Sequence, residues 1–263
     1  MPPQTLLVAL SGPSCSGKTT LARLLRSTLS PHAFIVHEDD FYKTDARIPV
    51  RKVRVNGEAV ELQDWDCFES VDVEALVDML GFVKREGRVK SREEGFEGKE
   101  DRNEVGGVDV DFGVVEEWRG RFEMLFSGLV GDGDGDGDVR IAIVDGFLLY
   151  SEEMAKVRDM FDVKLLLRTK YDTVKRRREG RKGYVTLEGF WEDPEGYVDA
   201  IVWPNYVKDH NFLFKKGDME GELDEEVYKG LGIQAMNGSG EESMTSVFAW
   251  ACEILEKQLK GLS

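Results

Sequence analysis

The sequence is poor in cysteine and contains no long apolar run. Its three cysteines, Cys15, Cys67 and Cys252, are an odd number without the spacing of metal ligands, so we expect neither a disulfide framework nor a zinc site. No apolar run is long enough to span a bilayer. Residues 1–4 lead into an apolar segment without a secretory signal pattern, so we expect a soluble cytoplasmic protein, with the nucleus as an alternative location.

Basic side chains are also scarce relative to acidic ones. The chain has 35 lysine and arginine residues against 51 aspartate and glutamate residues, a net charge of −16. This excess argues against a broad surface for nucleic acid or membrane, so neither is an expected partner. The 263 residues are enough for one large α/β domain with a substantial core, acting as a monomer or homodimer.

One segment carries a complete phosphate-binding motif. Residues 12–19 read Gly-Pro-Ser-Cys-Ser-Gly-Lys-Thr and match G-x-x-x-x-G-K-[ST]. An apolar run at 6–10 precedes the motif, and a helical pattern begins at Thr20. The glycines let backbone N–H groups surround phosphate oxygens, Lys18 supplies a positive charge for the β- and γ-phosphates, and Thr19 offers a hydroxyl to Mg²⁺. The sequence therefore predicts a nucleoside triphosphate site.

Four further apolar segments alternate with helical patterns, at residues 33–37, 140–146, 161–167 and 231–236. They predict an α/β fold with a doubly wound, mainly parallel five-stranded sheet and flanking helices. Ligands of such sheets collect beyond the carboxyl ends of the strands. Acids after the second strand, such as Asp39, are therefore candidates for a general base, with helix capping as the alternative. Asp145, at the end of the third strand, is a candidate Mg²⁺ ligand like a Walker B acid.

Two stretches interrupt this alternation. Residues 47–61 are polar with mixed charge and predict a loop. Residues 84–138 are rich in glycine and acidic residues, so we interpret them as an insertion whose outer parts, 84–112 and 131–138, are mobile. Apolar residues at helical spacing between Val114 and Leu129 predict a packed helix within it. The Gly-Asp run at 131–138 lacks the closing glutamate of an EF-hand loop, which favours a flexible linker over a calcium site.

The densest positive charge follows the fourth predicted strand, at residues 175–181. A solvated helix face and a nuclear-import patch are the alternatives. The position of the run favours closing over a triphosphate, and we interpret 175–195 as a lid.

The cluster at 63–69 includes Trp65 and Asp66, which could hold a sugar and a ring. A hydrophobic staple with a helix cap is the alternative there.

Taken in order, these segments resemble the nicotinamide riboside kinases, within the uridine-kinase-like group of P-loop kinases. The matching stretches are 11–21, 39–43, 63–69, 145–150, 175–181 and 196–206. The phosphate loop identifies only a superfamily, whereas the combination of D-D-F-[FY]-K, D-G-F-L-L and V-W-P-x-Y is much more specific. Two features depart from the family: Asp145 stands where glutamate is usual, and the segment after Arg181 is longer than expected.

The resemblance implies that a single P-loop kinase domain, residues 1–263, uses ATP and Mg²⁺ to phosphorylate the 5′-hydroxyl of nicotinamide riboside, giving nicotinamide mononucleotide for NAD synthesis. Catalysis is assigned to Asp39, Lys18 and Arg178, and metal binding to Thr19, Asp39 and Asp145. The implied ATP contacts are Gly12, Pro13, Ser14, Cys15, Ser16, Gly17, Lys18, Thr19, Thr20, Arg177, Arg181, Asn237 and Gly238. The implied riboside contacts are Asp39, Asp40, Phe41, Tyr42, Trp65, Asp66, Arg178 and Tyr184. The alternatives are a kinase of uridine, cytidine or another small metabolite, and a non-catalytic nucleotide-binding switch.

Overall fold

The fold is described from a computed structural model. It describes residues 4–99, 101, 109–129, 139–181, 183–185, 189–236, 238 and 240–262. The strands are β1 (Gln4–Ser11), β2 (Ala33–His37), β3 (Val50–Val55), β4 (Glu58–Gln63), β5 (Val139–Gly146), β6 (Val163–Leu166), β7 (Tyr184–Val185), β8 (Phe190–Trp191) and β9 (Ile233–Ala235). The α-helices are α1 (Lys18–Thr28), α2 (Val73–Glu86), α3 (Phe112–Leu129), α4 (Ala155–Arg158), α5 (Tyr171–Glu179), α6 (Trp203–His210), α7 (Glu225–Gly230) and α8 (Met244–Lys260).

The central sheet contains five parallel strands in the order β2-β5-β1-β6-β9. Successive side chains of β1 point to opposite faces of the sheet, as the pleat of a strand requires. Leu7 and Ala9 join a core with side chains of α2, α4, α6 and α7. Leu6, Val8 and Leu10 join a second core with side chains of α1, α3 and α8. The predicted doubly wound, five-stranded parallel sheet is therefore confirmed.

The loop predicted at 47–61 is wrong, because β3 and β4 form an antiparallel hairpin there. The strands are joined at Asn56 and Gly57, whose φ angles of 52° and 88° suit the tight turns of hairpins. Val53 and Leu62 are partly buried against a cluster that includes Tyr197. Several other side chains of the hairpin are charged and exposed, which obscured the strand pattern, although Asn-Gly is itself a hairpin signal.

The helix predicted inside the insertion is confirmed as α3. Val115, Trp118, Phe122 and Phe126 are buried in the core that also holds side chains of α1 and α8. Residues 84–86 form the last turn of α2, so the predicted insertion begins inside a helix. The Gly-Asp run at 131–138 lies outside the described residues. None of the helices in the described ranges combines the length and apolar character needed to cross a membrane.

The region interpreted as a lid contains α5 and the short β7-β8 hairpin. Beyond it, the turn and helix predicted at 196–206 are present as a π-helical segment, Val198–Val202, that continues into α6. The core of this part is formed by Val174 of α5 and by Tyr197, Val198, Ile201 and Val202. The arginine-rich helix is thus packed against the π-helical segment through its apolar side.

Candidate functional site

The phosphate-binding loop joins β1 to α1 at the carboxyl end of the sheet. Gly12 has a φ of +152°, and a Cβ atom there would lie 2.3 Å from the carbonyl oxygen of Leu167. Gly17 caps α1 with a φ of +94°. Both positions therefore favour glycine, because a side chain would be strained in this backbone conformation. The loop ends at a helix N-terminus, where free N–H groups favour an anion.

Lys18 reaches back over this loop. Its Nζ donates to the carbonyl oxygens of Gly12, at 3.0 Å, and Pro13, at 2.8 Å. Burial lowers the pKa of Lys18, although the nearby carboxylates of Asp145 and Asp39 act in the opposite direction. The ammonium group is therefore held at the loop and close to both acids at the strand ends.

The two acids of the site have unequal environments. Asp145 Oδ2 accepts from Thr19 Oγ1 at 2.7 Å, and its Oδ1 lies 2.5 Å from His37 Nδ1. Burial alone would raise the pKa of Asp145, but these hydrogen bonds and the positive charges of His37 and Lys18 lower it. Burial and the Asp145 carboxylate raise the pKa of Asp39 to about 6, against the effect of Lys18. Asp145 is therefore ionised and fixed by its hydrogen bonds, whereas the pKa of Asp39 is closer to that of a general base.

The donor atoms at this end of the sheet suit a hard divalent cation. Thr19, Asp39 and Asp145 offer one hydroxyl and two carboxylates, and oxygen is the ligand that Mg²⁺ prefers. Within the described ranges, no three His, Cys, Asp or Glu side chains converge as a metal-binding group. An ion here would need phosphate oxygens and water as further ligands, which is how Mg²⁺ is usually held with nucleotides.

Arg178 of α5 connects the loop to the region of the predicted acceptor site. It forms two parallel hydrogen bonds with Asp66, at 2.6 and 2.8 Å, and both side chains are almost fully buried. Asp193 accepts from Arg178 Nε at 2.7 Å, and Ser14 Oγ accepts from Nη1 at 2.9 Å. Burial alone would lower the pKa of Arg178, but the charges of Asp66 and Asp193 raise it well above its usual value. The guanidinium is therefore charged and fixed in orientation.

Aromatic rings surround this ion pair. The ring of Trp65 lies 5.4 Å from Tyr42 and 5.6 Å from Trp191, measured between centroids. The ring centroid of Tyr184 lies 5.1 Å from the guanidinium carbon of Arg178 and 4.3 Å from that of Arg181. A cavity next to these groups is lined by Ser14, Asp66, Phe147, Leu148, Val202, Tyr206 and Asp209. Acidic groups and aromatic rings thus lie together beside the loop.

Three further residues predicted to contact ATP lie in α5, after β9 and in α1. Arg177 donates to the carbonyl oxygen of Cys15 at 3.1 Å, so α5 touches the loop at a second point. Gly238 follows β9, and its carbonyl oxygen accepts from Arg168 at 2.7 Å. Thr20 lies half-buried in the first turn of α1. Asn237 lies outside the described residues.

Two residues predicted to contact the riboside instead contact the predicted insertion. Asp40 Oδ1 accepts from the backbone N–H of Lys99, in the predicted insertion, at 2.5 Å. Phe41 is buried in the core and stacks on Phe96 of the same insertion, with 5.5 Å between ring centroids. The structure therefore gathers Asp39, Tyr42, Trp65, Asp66, Arg178 and Tyr184 around the loop, whereas Asp40 and Phe41 contact the insertion.

Three neighbours of the site were missed by sequence reasoning. His37 contacts Asp145, Asp193 contacts Arg178, and the indole of Trp191 donates to Asp193 at 2.8 Å. His37 stands at the end of a predicted strand beside the acidic cluster, which was an available signal. Asp193 and Trp191 fall within the predicted lid, but nothing in the local sequence pattern indicates that Asp193 contacts Arg178 or that Trp191 contacts Asp193.

The fold and the loop define a P-loop nucleotide-binding protein, and comparison with known proteins narrows this class to kinases. A nicotinamide riboside kinase of Schizosaccharomyces pombe is 38% identical over 221 residues, 84% of this chain and 85% of that protein. A nicotinamide riboside kinase of Saccharomyces cerevisiae is 33% identical over 257 residues, 98% of both chains. A uridine kinase of Mycoplasma genitalium is 37% identical over 68 residues, 25% of this chain and 32% of that protein. Models of known protein families give no match. The chain belongs to the nicotinamide riboside kinase family.

Proposed function

We propose that the protein transfers the γ-phosphoryl group of ATP to the 5′-hydroxyl of nicotinamide riboside, giving nicotinamide mononucleotide for NAD salvage. The observation that carries this proposal is the Asp66–Arg178 pair, which joins a polar and aromatic pocket to Ser14 of the phosphate loop. A protein that only binds nucleotide needs no second pocket beside its phosphate loop. The fungal relatives of matching length support the same acceptor.

The loop and its surroundings would hold and neutralise the triphosphate. Backbone N–H groups of the loop would surround phosphate oxygens, and Lys18 would exchange its carbonyl partners for the β- and γ-phosphates. Arg177 donates to Cys15 of the loop, and Arg181 packs against Tyr184. Both side chains would approach the same charge. Thr19, Asp39 and Asp145 would hold Mg²⁺, which, when bound, neutralises charge on the β- and γ-phosphates.

Asp39 would orient the acceptor hydroxyl and accept its proton during transfer. Without bound metal, its pKa is raised to about 6, so this carboxyl is a stronger base than an exposed aspartate and is still ionised at neutral pH. Asp66 and Arg178 would bind the ribose hydroxyls, and Tyr42 and Trp65 would border the positively charged nicotinamide ring. Positioning and electrostatics supply most of the rate in phosphoryl transfer, and these groups provide both.

Within this proposal, residues 1–263 act as one catalytic domain with a lid at about 175–195 and an insertion at about 84–138. The contacts of α5 with the loop and with Asp66 support a lid that closes over both substrates. ATP and a small riboside are the expected partners, without nucleic acid or membrane. We expect a cytoplasmic monomer or homodimer.

The test is release of ADP from ATP and Mg²⁺, measured with and without nicotinamide riboside. Phosphorus NMR of the product locates the new phosphate, because a 5′-phosphate couples to the 5′ protons. We expect ADP to form only with the riboside and the product to be the 5′-monophosphate. ADP release at the same rate without any riboside would contradict the proposal, and nucleotide binding without any ADP release would favour a non-catalytic nucleotide-binding switch.

A further inference from the structure

A histidine at the end of β2 contacts the Asp145 carboxylate and has no role in the mechanism above. His37 pairs in register with Asp145 across β2 and β5, and only 3% of its surface is exposed. Its Nδ1 lies 2.5 Å from Asp145 Oδ1. Because an ionised carboxylate only accepts hydrogen bonds, the proton of this bond lies on Nδ1.

The two oxygens of Asp145 are fixed from opposite sides. Thr19 Oγ1 donates to Oδ2 at 2.7 Å, while His37 occupies Oδ1. The far edge of the imidazole is also engaged, since Nε2 lies 3.4 Å from Asp101 Oδ1. Asp101 in turn accepts from Arg26 of α1 at 3.0 Å. Together, these contacts fix the orientation of the imidazole relative to the carboxylate.

We propose that His37 is a positioning residue that holds the Asp145 carboxylate in the orientation needed to take up the divalent cation. This rests on the proposed function, since it requires that the site binds ATP with its metal. Without the bond from Nδ1, the carboxylate can turn about its Cβ–Cγ bond, and metal binding must first restore its orientation. Hydrogen-bond partners of metal ligands typically change metal affinity by about 10- to 100-fold.

The experiment compares two amide variants whose side chains differ by one methylene group, which changes where the amide nitrogen lies. In His37→Asn the amide occupies the position of Nδ1, whereas in His37→Gln it reaches the position of Nε2. A fluorescent non-hydrolysable ATP analogue is titrated into each protein, once with Mg²⁺ and once with EDTA, without any riboside. His32→Gln is the control, because His32 lies before β2 and contacts the Val139 carbonyl oxygen instead.

We expect Mg²⁺ to strengthen analogue binding equally in wild type, His37→Asn and His32→Gln, within about twofold. In His37→Gln the gain from Mg²⁺ should fall by about 10-fold, while affinity in EDTA stays unchanged. An equal gain in both His37 variants, or an equal loss in both, would overturn the proposal. Thermal unfolding of each variant shows that it is folded, and the absence of riboside keeps the result independent of the acceptor.

Discussion

At the scale of single residues, the two carboxylates at the strand ends are suited to different tasks. Asp145 is held by Thr19 and His37 and has a lowered pKa, as an ionised metal ligand should. Asp39 has a pKa raised to about 6 and is half-buried near Lys18. The difference follows from hydrogen bonding, because both groups are close to each other and to the same ammonium.

Replacing Asp39 with asparagine should therefore separate binding from transfer. We expect Asp39→Asn to bind the ATP analogue but to lose turnover by about 10²- to 10⁴-fold, the usual contribution of a general base. Loss of a metal contact would add to this effect. Steady-state kinetics and analogue titration measure the two quantities. Turnover within threefold of wild type would rule out Asp39 as the base.

Stability should depend on pH through His210, which is fully buried and stacks on Tyr206. Burial lowers the pKa of His210 to about 4. The unfolded chain takes up this proton near pH 6.5 but the folded chain does not, so stability falls as pH drops from about 6.5 towards 4. Between pH 7 and 5 this group alone should cost about 2 kcal/mol.

The matched variant for this effect is His210→Phe, which keeps an aromatic ring without a titrating group. Urea unfolding at pH 7 and pH 5 gives the free energy of unfolding for both proteins. We expect wild type to lose about 2 kcal/mol more than the variant between the two pH values. Equal losses would show that His210 does not titrate between the folded and unfolded states.

At the scale of elements, α5 joins the phosphate loop to the acceptor pocket through one guanidinium. Arg178→Lys keeps the charge but cannot form the paired bonds to Asp66 together with those to Asp193 and Ser14. Because hydrogen bonds to charged groups contribute about 1.5–3 kcal/mol, kcat/KM should fall by about 10- to 100-fold.

The control for this prediction is Arg176→Lys in the same helix. Arg176 is exposed, and its side chain contacts the Thr173 hydroxyl at 3.4 Å. We expect its kinetics to remain close to wild type. If Arg178→Lys also retained wild-type kinetics, the paired hydrogen bonds of Arg178 would not be needed for phosphoryl transfer.

Different parts of the predicted insertion should differ in their rates of amide hydrogen exchange. Buried Trp118 and Phe122 dock α3, so amides of 112–129 should exchange slowly. Among the described residues before α3, amides of 88–95 remain predicted to exchange fast. The Lys99 amide should exchange more slowly, because it donates to Asp40. Exchange followed by mass spectrometry would test this, and uniform protection over 84–138 would contradict it.

Elements with a strong local pattern could be predicted from the sequence, and the others could not. Strands buried on both faces read as continuous apolar runs, and residues 12–19 carry their motif in one contiguous segment. The β3-β4 hairpin was missed because its side chains are at most partly buried and several of them are charged. The bond between His37 and Asp145 spans 108 positions in the chain, so only the register of β2 and β5 reveals it.

At the scale of the whole molecule, a chain with a net charge of −16 brings several basic side chains to one site. Lys18, Arg177 and Arg178 meet at the phosphate loop, while Asp66 and the aromatic rings of Tyr42 and Trp65 border the other end of the site. One end of the site thus suits a polyanion, and the other suits a cationic ring on a ribose.

Substrate preference therefore tests the central claim most directly. We would measure kcat/KM for nicotinamide riboside and for uridine at one ATP concentration, with wild type, Tyr42→Ala and Trp65→Ala. Nicotinamide riboside should be the better wild-type substrate. A desolvated cation over an aromatic face gains about 0.5–2 kcal/mol, so each variant should lose about 2- to 30-fold more activity towards nicotinamide riboside than towards uridine. Uridine as the better wild-type substrate would contradict the account and favour a pyrimidine nucleoside kinase.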